Sequence, residues 1–257
     1  MKLRLPRFLA LGLALWAWPA ALPAAGLEVA FDAANKLYEE AKFAEAAAAY
    51  DKLLSDGHRT ASVFYNLGTA SYKAGQMGRA IAAYRQAEQL IPRDPDLRAN
   101  LQFVRKKVNG EDKSPVTWWR AVLSLLTLNE GTLLAAAAFW VWCLLMAARE
   151  FRPAWGDSLR RWIRSAGLTA IFFAGVLAAA AYVRFGDVSA VVVAREAVVR
   201  FGPLDESQTA FQLPDGSEVT VTDSKENWLQ VRDRSKRIGW LKKDQVIVLN
   251  QAMSRTK

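Results

Sequence analysis

The sequence predicts a mixed, multidomain membrane protein with three parts: an all-α array of helical repeats, two transmembrane helices and a small all-β barrel. Three observations predict it. Two runs without a charged residue, Gly131 to Ala148 and Ala166 to Val183, are each about eighteen residues long. At ~1.5 Å rise per residue each nearly crosses a ~30 Å hydrocarbon layer. Before them, residues 27–108 repeat with a period of 34. After them, apolar residues alternate with polar ones in short stretches separated by turn residues, the pattern of strands.

Composition removes several function classes. The chain has 257 residues, enough for about two ordinary domains besides membrane segments. Its one cysteine, Cys143, lies inside the first apolar run, so there is no disulfide framework. His58 is the single histidine, which excludes a Cys/His zinc site and a Cys–His catalytic pair. Part of the formal charge of +9 lies in the extreme N-terminus and in the loop between the apolar runs. No basic stripe with interleaved aromatics points to nucleic acid. No apolar-flanked carboxylate pair, nucleophile motif or glycine-rich phosphate loop occurs, so neither an enzyme nor a cofactor is expected. Asp205-Glu206 and Asp215-Gly216 read as turn acids.

At the N-terminus, Lys2, Arg4 and Arg7 precede the apolar run Phe8 to Ala21, and Ala24, Ala25 and Gly26 follow. This is the layout of a secretory signal peptide over residues 1–24. The other reading is an uncleaved anchor. Either way the next segment is exported.

Residues 27–108 follow. Tyr38 recurs as Tyr72, Ala41 as Gly75, Ala46 as Ala80, Tyr50 as Tyr84, and Asn66-Leu67 as Asn100-Leu101. Gly68 and Ala80 stand where paired helices approach closely, Tyr72 and Tyr84 fill the space between helices, and Pro92 stops the second helix. Asp94-Pro95 supplies a cap and a Pro at the first helical position of a third unit, read as a solvating terminal helix. The first copy is degenerate, with Ala34 in place of Gly and His58 in place of Pro. The period and these residues resemble two tetratricopeptide repeats plus a terminal helix. The resemblance implies a peptide-binding groove lined by the first helix of each unit. Its candidate protein-binding residues are Asn35, Tyr65, Asn66, Thr69, Tyr72, Lys73 and Asn100. Asn35 and Asn66 match positions used to clamp a C-terminal carboxylate, but Phe31 stands where that clamp has a lysine. A merely solvated face is the other reading of these residues.

Residues 109–130 read as a polar linker and an interfacial helix marked by Trp118-Trp119. Residues 131–148 and 166–183 are the two spans. Between them, 149–165 carries Arg149, Arg152, Arg160, Arg161 and Arg164 against Glu150 and Asp157, a cytoplasmic loop by its positive charge. The segments before and after the hairpin then face the same compartment, the periplasm.

Residues 188–250 read as short strands: Val188 to Val193, Ala197 to Phe201, Glu218 to Thr222, Asn227 to Arg232, Gly239 to Leu241 and Val246 to Val248. Leu213-Pro214-Asp215-Gly216 reads as a turn. VRFGP at Val199 to Pro203, NWLQV at Asn227 to Val231 and GWL at Gly239 to Leu241 resemble a bacterial SH3 domain. Trp228 and Trp240 are the barrel's candidate ligand residues, with core and rim packing as the competing reading.

The order of signal peptide, repeats, hairpin and barrel resembles the BatE proteins of the aerotolerance (Bat) operons. That resemblance implies a non-enzymatic inner-membrane scaffold supporting an envelope complex linked to stress tolerance. Its implied partners are membrane proteins with von Willebrand factor A domains, together with a MoxR-type AAA+ ATPase. The alternative is a cell-wall protein whose barrel grips peptidoglycan peptides.

Overall fold

The computed structural model describes residues 24–110, 127–151, 156–186 and 188–249. The signal peptide, apart from Ala24, and the interfacial helix with Trp118-Trp119 lie outside these residues.

Among the described residues, five helices come first: α1 (Ala24–Glu39), α2 (Phe43–Ser55), α3 (Ala61–Lys73), α4 (Met77–Leu90) and α5 (Pro95–Asn109). The 34-residue period is visible in the backbone. Helix α4 starts 34 residues after α2, and α5 starts 34 after α3. The turn inside each pair passes through a left-handed residue, Ala41 at φ 58° and Gly75 at φ 79°. Glycine takes that conformation without strain, whereas Ala41 must be held in it by its surroundings. Thr60 and Asp94 cap α3 and α5 in the same way, each accepting a hydrogen bond from the amide three residues on, Val63 and Leu97.

Packing repeats too. Phe31 meets Tyr50 edge-on at 5.8 Å, and Tyr65 meets Tyr84 edge-on at 5.8 Å. The Tyr50 hydroxyl donates to Asn35 at 2.6 Å, and the Tyr84 hydroxyl lies 3.0 Å from that of Thr69, the equivalent residue. A Cβ on Gly68 would come within 2.6 Å of the Tyr84 ring, so glycine lets α3 and α4 close on each other.

The terminal helix is not simply a solvated cap. Leu97, Leu101 and Val104 are buried against α4, and the far end of α5 meets the C-terminal sheet. The sequence shows only an amphipathic helix with no partner helix after it; a sheet takes the place of the missing partner.

That sheet has seven antiparallel strands: β1 (Val188–Val192), β2 (Glu196–Arg200), β3 (Thr209–Pro214), β4 (Glu218–Lys225), β5 (Trp228–Arg232), β6 (Ile238–Lys242) and β7 (Val246–Val248). Their order is β3-β2-β6-β5-β4-β1-β7. The hydrogen-bonded order therefore has two ends, yet every strand sends a side chain into one core, from Ala190 and Val192 on β1 to Val246 on β7. Strand β3 went unread in the sequence, which places Leu213-Pro214 in a turn. It is an end strand, and Pro214 is its last residue, where a missing amide costs the ladder nothing.

Strand β1 is buried on both faces. Ala190 and Val192 enter the sheet's core, while Val191, on the opposite face by alternation, joins Ile81, Leu97 and Leu101 in the core of α4 and α5. Leu249 and Ile247 join the same helical core.

Helices α6 (Leu128–Phe151) and α7 (Gly156–Phe185) pack on each other, and both are long and apolar enough to cross a membrane. Neither has buried residues in its most apolar window; Leu133, Trp140, Leu144, Ile171 and Phe172 are exposed. Gly167 faces the Trp142 indole, where a Cβ would meet Nε1 at 3.1 Å. The arginine-bearing segment 149–165 is largely helical: α6 and α7 run past the apolar runs and carry Arg149, Arg160, Arg161 and Arg164. Helix propensity is high for Arg and Leu, so nothing local stops either helix where its apolar run stops.

Candidate protein-binding face and the docked sheet

Helices α1, α3 and α5 stand side by side and share one face. Hydrogen bonds between sequence-predicted residues stitch it together. Asn66 donates from Nδ2 to Asn35 Oδ1 at 3.2 Å, joining α3 to α1. Asn100 donates from Nδ2 to the Tyr65 hydroxyl at 2.8 Å, joining α5 to α3. Thr69 bonds the Tyr65 carbonyl as well as Tyr84. All six of Asn35, Tyr65, Asn66, Thr69, Tyr72 and Asn100 are partly buried, and only Lys73 is exposed.

These groups therefore serve the helix packing first, and each keeps only part of its surface for a ligand. Tyr84, beneath them, is pushed up to about 12 by burial, against the pull of the Thr69 hydrogen bond. It is an uncharged packing residue at any physiological pH. At the distal end of the face, Tyr72 meets Phe103 edge-on at 5.6 Å, and Lys107 Nζ sits 5.1 Å above the Tyr72 ring. Phe103 and Lys107 were not singled out in the sequence. Their 34-residue spacing from Thr69 and Lys73 was the signal that placed them on this face.

On the other side, α4 and α5 carry the sheet, and two acids make the joint. Asp215, in the β3–β4 turn, accepts from the amide of Gly78 at 2.9 Å in the first turn of α4. Gln76, the residue just before α4, supplies no side-chain cap. A carboxylate 137 residues away does that work, favoured by the unpaired amides and positive dipole of the helix end. Burial pushes the Asp215 carboxyl above its ordinary range, and amides of Gly78, Met77 and Gly216 pull it only part of the way back. The approach is close enough that a Cβ on Gly78 would collide with the Val192 carbonyl. Gly216, at φ 87°, closes the turn with its α-carbon against Val108.

Glu218, at the start of β4, is the second acid. Arg105 of α5 grips it with two hydrogen bonds, 2.9 and 2.7 Å, and Arg234 and Arg85 add contacts at 3.3 and 3.5 Å. Burial is the largest single influence and pushes this carboxyl up. The Arg105 hydrogen bonds and the charges of Arg105, Arg85 and Arg234 together outweigh it, so Glu218 is held below the usual carboxylate range. Asp215 is thus more than the turn acid expected of it: it turns the chain and caps a distant helix.

The helical unit is also tied to α6. Thr127 and Glu130 cap α6 reciprocally, the Thr127 amide donating to Glu130 and the Glu130 amide to the Thr127 hydroxyl. Arg93, between α4 and α5, then donates to both Glu130 oxygens at 2.8 Å.

In the sheet, Trp228 is buried beneath Lys242 Nζ, 5.5 Å from its ring centroid, and Lys242 pairs with Asp205 at 2.7 Å. Trp240 is half-buried on β6 between Gln230 and Arg200 in register.

Residues 193–246 match the Bacterial SH3 domain family. This region is an SH3 domain. The match begins just after β1 and ends at the first residue of β7. The strands that dock on the helices are therefore the ones flanking the SH3 domain proper, while the two anchoring acids, Asp215 and Glu218, lie inside it. No curated protein matches the chain.

Proposed function

We propose that the protein is a non-enzymatic, membrane-anchored scaffold that binds a segment of a partner protein along the face of α1, α3 and α5. One observation carries this reading: the helical unit is fastened at both ends of its last helix pair, α4 and α5. Arg93 and Glu130 tie it to α6, and Asp215 and Glu218 tie it to the SH3 domain that follows α7. A binding face held at one place beside a bilayer is offered to proteins in the same membrane at high effective concentration. The 34-residue period, the left-handed pair turns and the repeated Tyr50 and Tyr84 packing support taking the helices as tetratricopeptide repeats. The positive segment 149–165 supports a cytoplasmic turn, with repeats and SH3 domain in the periplasm at the inner membrane. With that topology the chain resembles BatE proteins, whose implied partners are von Willebrand factor A-domain membrane proteins and a MoxR-type ATPase linked to stress tolerance.

A photoreactive residue at Lys73, the exposed member of the face, in cells carrying the full chain tests it. Adducts with an integral membrane protein are expected from Lys73 and not from Lys225 on the SH3 domain. The SH3 match favours a second reading, binding of peptidoglycan peptides. Retention on purified sacculi that is lost with the SH3 domain, together with no adduct at Lys73, establishes that reading instead. A cytoplasmic reporter signal from a C-terminal fusion overturns the topology.

A further inference from the structure

The face of α1, α3 and α5 changes charge along its row of helix ends. Equivalent positions hold Glu39 on α1, Lys73 on α3 and Lys107 on α5. Beside the two lysines stand Tyr72 and Phe103, with Phe103 left 58% exposed. Neither lysine pairs with a carboxylate among the described residues; Lys107 turns instead to the Tyr72 ring and hydroxyl. Lysines in a last helical turn suit the helix dipole. The dipole gives no reason for a large apolar ring to stand in water between them.

Resting on the partner-binding reading above, we propose that this distal corner takes an acidic segment of a partner protein, one that carries an aromatic or large aliphatic side chain beside its carboxylates. The side chain covers Phe103 against the edge of Tyr72, and carboxylates pair with Lys73 and Lys107. Charge complementarity selects this occupant. Two lysines are too few to hold a nucleic acid backbone. A lipid headgroup is disfavoured by position. Arg93, just before α5, is bonded to Glu130 at the start of α6, and Lys107 lies twelve residues further along α5 from Pro95, ~18 Å away at helical rise. The corner is on the end of the helical unit remote from α6. At the α1 end Glu39 opposes an acidic segment, so the charge change also sets the direction in which the segment runs.

The test uses the full chain in detergent micelles and three fluorescein-labelled peptides read by anisotropy. One is Glu/Asp-rich with a central Phe, one has that Phe replaced by Ser, and one has every acid replaced by Lys. The acidic Phe peptide is expected to bind, with at least a ten-fold loss in the Lys73→Glu, Lys107→Glu double variant and a gain for the Lys-rich peptide. Phe103→Ser, at an exposed position that leaves the fold intact, is expected to abolish the advantage of Phe over Ser. Unchanged melting of the variants confirms that they fold. Absence of binding at millimolar peptide, or equal binding before and after charge reversal, overturns the inference. The Lys73 crosslink separates the two levels. If a partner is captured there and Lys107→Glu, made in the chain that carries the photoreactive residue at position 73, leaves its capture unchanged, only the acidic-segment inference fails. If no partner is captured, the groove reading fails with it.

Discussion

Helices α2 and α4 occupy equivalent places, 34 residues apart, and meet different fates. Each is preceded by a residue that offers no side-chain cap, Lys42 and Gln76. Helix α2 ends the comparison there, with Ala44 at its second position and the small Ala47 on its buried face. Helix α4 has Gly78 and Ile81 at those positions. Gly78 admits the Val192 carbonyl and the Asp215 carboxylate, and Ile81 reaches into the core that Val191 and Leu249 complete. The two substitutions make sense together. One removes a Cβ so that a strand can approach, and the other adds apolar volume for that strand to cover. The second copy has been fitted to the sheet, and the first has not.

The sharpest way to break this contrast is Gly78→Ala. The atom in the way is backbone, which cannot rotate aside, so the sheet must lift from α4. Loss of about 2–4 kcal/mol is expected, at or above the usual cost of overpacking. Ala44→Gly, its counterpart in α2, should cost only about 1 kcal/mol of helix propensity. Thermal melts of the full chain in detergent, with hydrogen exchange across α4 and β1, measure both. Equal effects at 44 and 78 would remove the docking argument.

Glu218→Gln comes next. It leaves three arginines facing an amide, and because they are each partly exposed the expected loss is about 1–3 kcal/mol. The folded carboxyl is held below its unfolded value, so its contribution is present above the unfolded pKa and lost as pH falls through the folded one. The variant should therefore lose less stability than the wild type on acidification below the ordinary Glu range.

Gly68→Ala is milder. The added Cβ meets the Tyr84 ring, a side chain that can shift, and Ala34 shows that the first copy accepts a Cβ opposite Tyr50. About 1 kcal/mol is expected, against the larger loss at Gly78; a reversed order would mean that the helix pair is less adaptable than the joint.

Asp215→Asn should have the smallest effect near neutral pH. The amide oxygen still accepts from Gly78, and the cost of burying a charge disappears. The sign is opposite to that at Glu218. A folded carboxyl raised by burial favours the protonated form, so its contribution is greatest below the unfolded pKa and declines as pH rises through the folded value. The variant should flatten that decline in a pH series of melts, whereas Asp215→Ala, which removes the cap, should destabilise at every pH by about 1 kcal/mol.

How much of this was legible varies residue by residue. The helix-closing Gly68 and the packing of Tyr84 could be read, and Ala41 with Gly75 and Tyr50 with Tyr84 could be matched as equivalent positions, because a 34-residue repeat writes the same contact twice; that Ala41 and Gly75 turn the chain came from the backbone. Asp94 and Pro95 announced α5, since a cap and its helix are adjacent in sequence. The apolar runs fixed α6 and α7 through composition and length alone. Strand β3 was hidden by Pro214, a turn residue that an end strand tolerates.

What only the tertiary structure decided is the joint. Asp215 and Gly78 are 137 residues apart, and no local rule says that a turn acid caps a distant helix. Val191 sits in a run that reads as one more barrel strand, and its second buried face exists only because α4 and α5 lie across it. Glu218 is an unremarked acid in sequence and a three-arginine hub in the fold. Local propensity and periodicity are short-range and can be read from neighbours. Which apolar face covers which, and which charge answers a charge, depends on chain closure between segments that the sequence keeps far apart.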